Sequence, residues 1–340
     1  MKQLLSNLPQ LVKKYLGQIP DDDYPVLNSF LFVTCWLNFA LDPGVDSMRG
    51  MFAILNQQGI KVDFSTFSKA SKSRDSELFE NILNRLIAEV KKKTPPDKLV
   101  LFPLDSTVVT VMSKLLWQQN IYQVKLFSGI NLTTGGTEGI YLHFGQGHDS
   151  KHGEETIDAI PENGVGIMDR GFAALKRIRQ LLQEPQKFFV IRLKNDISLE
   201  LKENGLFKVG KGKEAVEVRV VAFCDVETQT EYRLATNLPA TGEFGVDNEE
   251  VGEIYRQRWG IELLWKFLKM HLKLARLITK NVNGITIQIY ACLIAYLLLQ
   301  LLEIPKDLGN KLLDKFRYLQ AFMRREISYV HWFGRMVLAK

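Results

Sequence analysis

Across residues 1–93 apolar positions recur at helical spacing. Phe30–Ala40 is densely apolar, and Leu78, Ile82, Leu83, Leu86, Ile87 and Val90 form one stripe of a helix over Ser76–Lys92. The lysines and prolines of Lys91–Lys98 (KKKTPPDK) end that pattern. Short strand-like runs follow: LVLFPLD ending at Asp105, then Tyr122–Asn131 and Gly139–Phe144 joined through the turn residues TTGGTE. Lys151–Ile160 predicts a short helix, Val165–Met168 a buried strand ending at Asp169, Phe172–Leu182 an amphipathic helix and Phe188–Leu193 a further strand. The order strand, strand, strand, helix, strand, helix, strand predicts an α/β core, a mixed sheet with helices on its faces. Residues 196–246 differ, because EVRVVAFCDV and EYRLATNL are strand runs separated by turn residues and predict a β-rich insertion. Asp247 then offers an N-cap, with Glu249 and Glu250 in the first turn of a helix continuing to about Leu274. The expected organisation is a helical N-terminal domain at 1–93, a core made of 94–195 and 247–304, the insertion at 196–246 and a helical tail at 305–340.

Composition adds little to the fold and something to the partner. Of 340 residues 46% are hydrophobic, enough for a sizeable core. Lys and Arg outnumber Asp and Glu by 44 to 38, and the formal charge of +6 suits a polyanion. Cys35, Cys224 and Cys292 are far apart, and the five histidines lack ligand spacing. Neither a disulfide framework nor a zinc site is expected, and a reducing cytoplasm fits. The first residues lack the apolar core of a signal peptide. Ile285–Ile304 is near the length needed to span a bilayer, but it carries Gln288, Gln300 and Glu303, and a buried helix packed on a sheet gives the same pattern and is the expected reading.

Candidate chemistry lies in three carboxylates. Asp105 and Asp169 each follow an apolar strand, where side chains project from the edge of a sheet. Taken singly, each is also a plain turn or cap residue. Glu262 lies in the helical segment YRQRWGIELLWKFLKMHLKL. At roughly 100° per residue, Tyr255, Arg258, Glu262 and Lys269 fall within an arc of about 60°. That stripe is either a working surface or a solvated face on which Arg258, Glu262 and Lys266 form i,i+4 pairs. If the three acids converge, their repulsion requires a cation, and hard oxygen donors suit Mg²⁺ or Mn²⁺. Among other residues, His148 and Asp149 are ligands or a polar loop, and Trp259 and Trp265 are base-stacking planes or core. Lys125 is a phosphate contact or a solvated edge lysine.

The spacing Tyr255-x₂-Arg258-x₃-Glu262-x₆-Lys269 resembles the signature of the insertion-sequence-four family of DDE transposases. Asp105 in LDST and Asp169 in MDRGF resemble the same family's two aspartate motifs. One departure is Phe172, where the family often carries Tyr; an aromatic is kept and its hydroxyl lost. The resemblance implies a ribonuclease H-like catalytic core in which Asp105, Asp169 and Glu262 hold two Mg²⁺ (or Mn²⁺). It implies that Tyr255, Arg258 and Lys269 contact phosphates of double-stranded DNA, with Arg170 and Lys266 as further cations beside them. The expected substrates are the inverted-repeat ends of a mobile element and a target DNA. The expected assembly is a homodimer in the DNA complex. A nuclease without joining activity, or an inactive DNA-binding relic, is the alternative. In the helical N-terminal domain, GIKVDFSTFSKASKSRD is either a helix-turn-helix-like DNA contact or a solvated loop and short helix.

Overall fold

The structure, a computed structural model, describes residues 21–57, 61–94, 99–225 and 230–323, together with Lys14, Tyr15 and Ile19. The expectation about a signal peptide, part of the break at Lys91–Lys98 and the end of the 305–340 tail concern residues outside that set. In chain order the elements are α1 (Ser29–Leu41), α2 (Met48–Gln57), α3 (Phe64–Ser73), α4 (Glu77–Lys91), β1 (Val100–Thr110), α5 (Lys114–Trp117), β2 (Gln123–Ile130) and β3 (Thr137–Phe144). There follow α6 (Glu154–Asp158), β4 (Gly164–Met168), α7 (Leu175–Leu182), β5 (Lys187–Arg192), β6 (Leu199–Leu201), β7 (Phe207–Val209), β8 (Val216–Asp225) and β9 (Thr230–Thr236). Last come α8 (Asn248–Arg256), α9 (Trp259–His271), α10 (Val282–Leu301) and α11 (Leu312–Met323). They form two compact units. One draws on Lys93–Thr110 and Ile121–Lys266, the other on Met1–Lys92, Val111–Asn120 and Phe267–Lys340.

The first unit is built on one nine-stranded sheet in the order β3-β2-β1-β4-β5-β9-β8-β7-β6. β1, β4 and β5 run parallel, and β2 and β3 extend the β1 edge antiparallel. This is the mixed sheet of a ribonuclease H-like core. The β-rich insertion does not form a separate sheet: β9 pairs antiparallel with β5, and β8, β7 and β6 continue outward.

Alternation along the central strands sorts the core onto two faces. Phe102, Leu104, Met168, Phe189 and Ile191 pack with Phe172, Ile178 and Leu181 on one face. Val165, Ile167 and Val190 pack with Val251 and Tyr255 of α8 on the other. β1 runs through Asp105 to Thr110 instead of ending at it, because antiparallel pairing with β2 replaces the parallel pairing with β4.

The second unit is helical. α10 is the apolar stretch that fits a membrane span by length, yet most of it is buried. Its partners are α1, α3, α4 and α11, where the sequence alone allowed a helix packed on a sheet. Gln288 is satisfied inside: its Oε1 accepts from Ile278 N–H (3.0 Å) and its Nε2 donates to the Arg276 carbonyl (2.7 Å).

Lys273 closes the end of α9 in the left-handed region at φ 59°, with Leu274 N–H donating back to the Leu268 carbonyl (3.1 Å). Its ammonium donates to the carbonyls of Phe39 (2.9 Å), Val45 (2.6 Å) and Asp42, capping the end of α1. Glycine would suit that backbone better, so the ammonium is what the position retains. Lys273→Met leaves buried carbonyls unsatisfied and should cost about 1–3 kcal/mol of stability. In urea unfolding, Lys273→Gly should also be less stable than the natural chain, although it relieves the backbone. A gain from Lys273→Gly would show that strain, not capping, dominates there.

Candidate active site

The parallel register pairs Pro103 with Ile167. Continued by two residues, it brings Asp105 level with Asp169 on strands roughly 4.8 Å apart. By alternation both lie on the face covered by α8, beyond the last residues at which β1 and β4 pair. Burial, first of all, pushes the Asp105 carboxyl up to about 7. The backbone hydrogen bond at Ser106 and the charge of Arg258 pull the other way, while Asp169 and Asp149 add to the rise. Asp169 caps the turn that follows β4, its Oδ1 accepting from Gly171 N–H (2.7 Å). A Cβ at position 171 would lie 2.9 Å from that same oxygen, so the glycine of MDRG lets the chain fold tightly around the carboxylate.

The insertion and α8 complete the site. Asp247 and Glu250 form a reciprocal capping box (both bonds 2.8 Å), which sets where α8 begins. Arg219 on β8 donates to the carbonyls of Leu238 (3.2 Å) and Val246 (2.9 Å) and to Asn248 Oδ1 (2.6 Å), tying the helix start to the insertion.

The helix does not run unbroken to Leu274. A tight turn at Gln257–Arg258 separates α8 from α9, with i→i−3 bonds from Arg258 N–H to Tyr255 O (3.0 Å) and Ile261 N–H to Arg258 O (3.2 Å). Gly260 packs where a Cβ would meet Leu132 Cδ2 at 2.5 Å, so the break accommodates that close approach. Tighter winding changes the angular spacing, and the four-residue stripe is not a single α-helical face.

Arg258 and Glu262 still meet across this turn, Nη2 to Oε1 at 2.7 Å, with side chains only 19% and 34% exposed. Burial alone would lower the Arg258 pKa; the hydrogen bond to Glu262 and the nearby Tyr255, Glu262 and Asp105 raise it. The charges of both Glu262 and Asp105 therefore act on Arg258. Tyr255 is buried, its pKa raised chiefly by burial, and its ring lies 6.1 Å from Tyr232. Its ring belongs to the core and its hydroxyl interacts with Arg258.

Lys266 is exposed, and Lys269 is half-buried with its pKa lowered by burial. Arg170 is exposed and lines an open cleft of about 460 Å³ with Gly171, Lys194, Asn195 and Asp196. Lys194 was not singled out from sequence, although it stands after β5 much as Asp169 and Arg170 stand after β4. Trp265 is core, whereas Trp259 is 62% exposed, as is Leu263. Phe172 is fully buried and edge-on to Phe127 at 6.4 Å, an environment with no need of a hydroxyl.

Asp105 and Asp169 thus present hard oxygen donors at one place, and their mutual repulsion suits a divalent cation. Among the described residues no three acidic, His or Cys side chains converge closely enough to hold one, since Glu262 is turned to Arg258.

Residues 96–298, more than half of the chain, match the family described as the transposase DDE domain. A Synechocystis protein named as a transposase for insertion sequence element IS4SA is 54% identical over 98% of this chain and all of its own length. A Geobacillus stearothermophilus protein named as a transposase for insertion sequence element IS5377 is 26% identical, covering 81% of this chain and 77% of its own. The matched residues include Asp105, Asp169 and the helix of Glu262, and the chain belongs to the DDE transposases, as an insertion-sequence enzyme of the insertion-sequence-four type.

Proposed function

We propose that Asp105, Asp169 and Glu262 are the metal-binding carboxylates of this transposase, and that Arg170, Lys194, Tyr255, Arg258, Lys266 and Lys269 form or support its DNA-phosphate surface. The observation that carries the reading is the level placement of Asp105 and Asp169 beside an arginine already paired with Glu262. Bound there, two Mg²⁺ or Mn²⁺ ions would polarise the scissile phosphate and activate the attacking oxygen. In the first step water attacks phosphorus at an element end and the 3′-oxygen leaves. In the second that 3′-hydroxyl attacks a phosphodiester of the target, whose own 3′-oxygen leaves. Joining distinguishes this reading from a simple nuclease, and a strand-transfer assay with a pre-cut end tests it.

Arg258 and Glu262 give the chain's own part in assembly. A DNA phosphate competes with the Glu262 carboxylate for the guanidinium, whose planar fork suits either anion. Phosphate binding to Arg258 then frees Glu262 to turn toward Asp105 and Asp169. Tyr255 fixes the arginine from below, and the exposed Trp259 offers a plane on which an unpaired base can stack. Joining two ends in one reaction calls for two copies in the DNA complex, acting on cytoplasmic nucleoid DNA.

Three outcomes follow. Asp105→Asn, Asp169→Asn and Glu262→Gln should each abolish end cleavage in magnesium while leaving DNA affinity within a few-fold; normal cleavage by Glu262→Gln would falsify the assignment. Arg258→Ala should weaken binding across all sequences and reduce the salt slope of log Kd by roughly one, measured by fluorescence anisotropy. Burial pushes the Asp105 carboxyl up to about 7, so protons compete with the cation below that pH. Calorimetric Mn²⁺ affinity should therefore fall about fivefold between pH 7 and pH 6. An affinity flat across that interval is incompatible with Asp105 as a ligand.

A further inference from the structure

Behind the Asp105–Asp169 pair lies a second carboxylate system that the reaction as described does not use. Asp149 opens a short turn, Asp149–Lys151, between β3 and α6. Its Oδ1 accepts from Ser106 Oγ (2.7 Å) and pairs with Lys125 Nζ (2.7 Å). The Lys125 and Asp149 side chains are only 11% and 23% exposed, and Lys125 also donates to the Gly147 carbonyl (3.1 Å). Lys125 is therefore no solvated edge lysine, and Asp149 is not simply part of a polar loop.

Arg177 makes the arrangement rigid. It is buried on α7, and it donates through Nη1 to the carbonyls of Asp149 (3.3 Å) and Phe172 (3.2 Å) and through Nη2 to that of His152 (3.1 Å). One guanidinium thus ties the turn that carries Asp149 to the turn that Asp169 caps. Gly171 lies between the two acids, since a Cβ there would be 2.9 Å from Asp169 Oδ1 and 3.3 Å from Asp149 Oδ2.

Ser106 follows Asp105 on β1, so by alternation its side chain lies on the opposite face, the face of Phe127, Phe172 and α7. A fold needing only an ion pair gains nothing by placing a further carboxylate beside two others. Here Lys125 neutralises it and occupies, with Ser106, the same oxygen. Asp149 is then poorly placed to be a ligand and well placed to brace one.

We propose that Asp149, neutralised by Lys125, is a positioning residue for the metal-binding pair: it anchors Ser106 beneath Asp105 and backs the Gly171 turn that orients Asp169. The proposal rests on the metal reading of Asp105 and Asp169 given above. Partners of this kind, one layer behind the ligands, commonly change metal affinity or activity by about 10–100-fold when removed.

The test uses the full chain and Mn²⁺ alone, followed by calorimetry, with half-saturating Mg²⁺ for end cleavage as a second measurement. Asp149→Asn should weaken Mn²⁺ binding by about tenfold or more and raise half-saturating Mg²⁺ correspondingly, with DNA affinity unchanged. Ser106→Ala, which removes one hydroxyl, should shift both in the same direction by less, and decides the matter if Asp149→Asn does not fold. Unchanged metal dependence in a folded Asp149→Asn overturns the proposal, and so does a loss of cleavage equal at every metal concentration or a change in melting temperature alone. Asp105→Asn serves as the control. If it binds Mn²⁺ like the natural chain, the metal reading itself fails; if it does not bind and Asp149→Asn does, only the role of Asp149 falls.

Discussion

Two carboxylates held level on neighbouring parallel strands repel one another, and much of the surrounding structure answers that repulsion. The β1–β4 pairing ends two residues before Asp105 and Asp169 and sends both out from the same level of the sheet. Burial sharpens the conflict, because removal from water strengthens the interaction and disfavours charge on Asp105. On the α8 face Arg258 supplies positive potential. On the other face Lys125 cancels the charge of Asp149 before it can add fully to the pair. The site is thus organised to be incomplete in charge, which is the condition for binding a cation strongly.

The break between α8 and α9 has a comparable logic. A continuous helix would carry Arg258 and Glu262 as an ordinary surface i,i+4 pair, worth little in stability. The tight turn places them partly out of solvent, with Arg258 coupled to Asp105 as well. Gly260 allows the turn by packing against Leu132 without a side chain. The capping box at Asp247 and the Arg219 bonds hold the far end of α8 to the insertion. The β-rich insertion therefore does more than decorate the core: as a continuation of the same sheet, it sets the position of the helix that delivers Arg258.

Much of this was legible in the chain. Alternating and continuous apolar runs located β1, β2, β3, β4 and β5, because buried strands have few ways of being written. The Asp247 cap was visible because its partner lies three residues away. The helix break was not, since no proline marks it and the close approach of Gly260 to Leu132 that accompanies it joins residues distant in sequence. The brace behind the site was equally hidden: Ser106, Lys125, Asp149 and Arg177 come from four elements and look individually like surface residues. One local clue existed. Arg177 shares a helical stripe with Ile178 and Leu181, and an arginine on an apolar stripe implies a buried set of acceptors.

The Arg258–Glu262 pair ties these observations to the order of events on DNA. On the proposed reading, Glu262 bound to Arg258 is a carboxylate withheld from Asp105 and Asp169, and the guanidinium that would meet DNA is occupied. A phosphate entering the site relieves both conditions at once, because one anion replaces another on the same fork. On that reading, full assembly of the three carboxylates would be coupled to the presence of the substrate's backbone. For an enzyme that cuts DNA this coupling has a physical use: the competent arrangement of acids is favoured when a phosphodiester lies beside it, and disfavoured when none does. The half-buried setting makes the coupling strong enough to matter, since the same exchange between fully solvated groups would be screened.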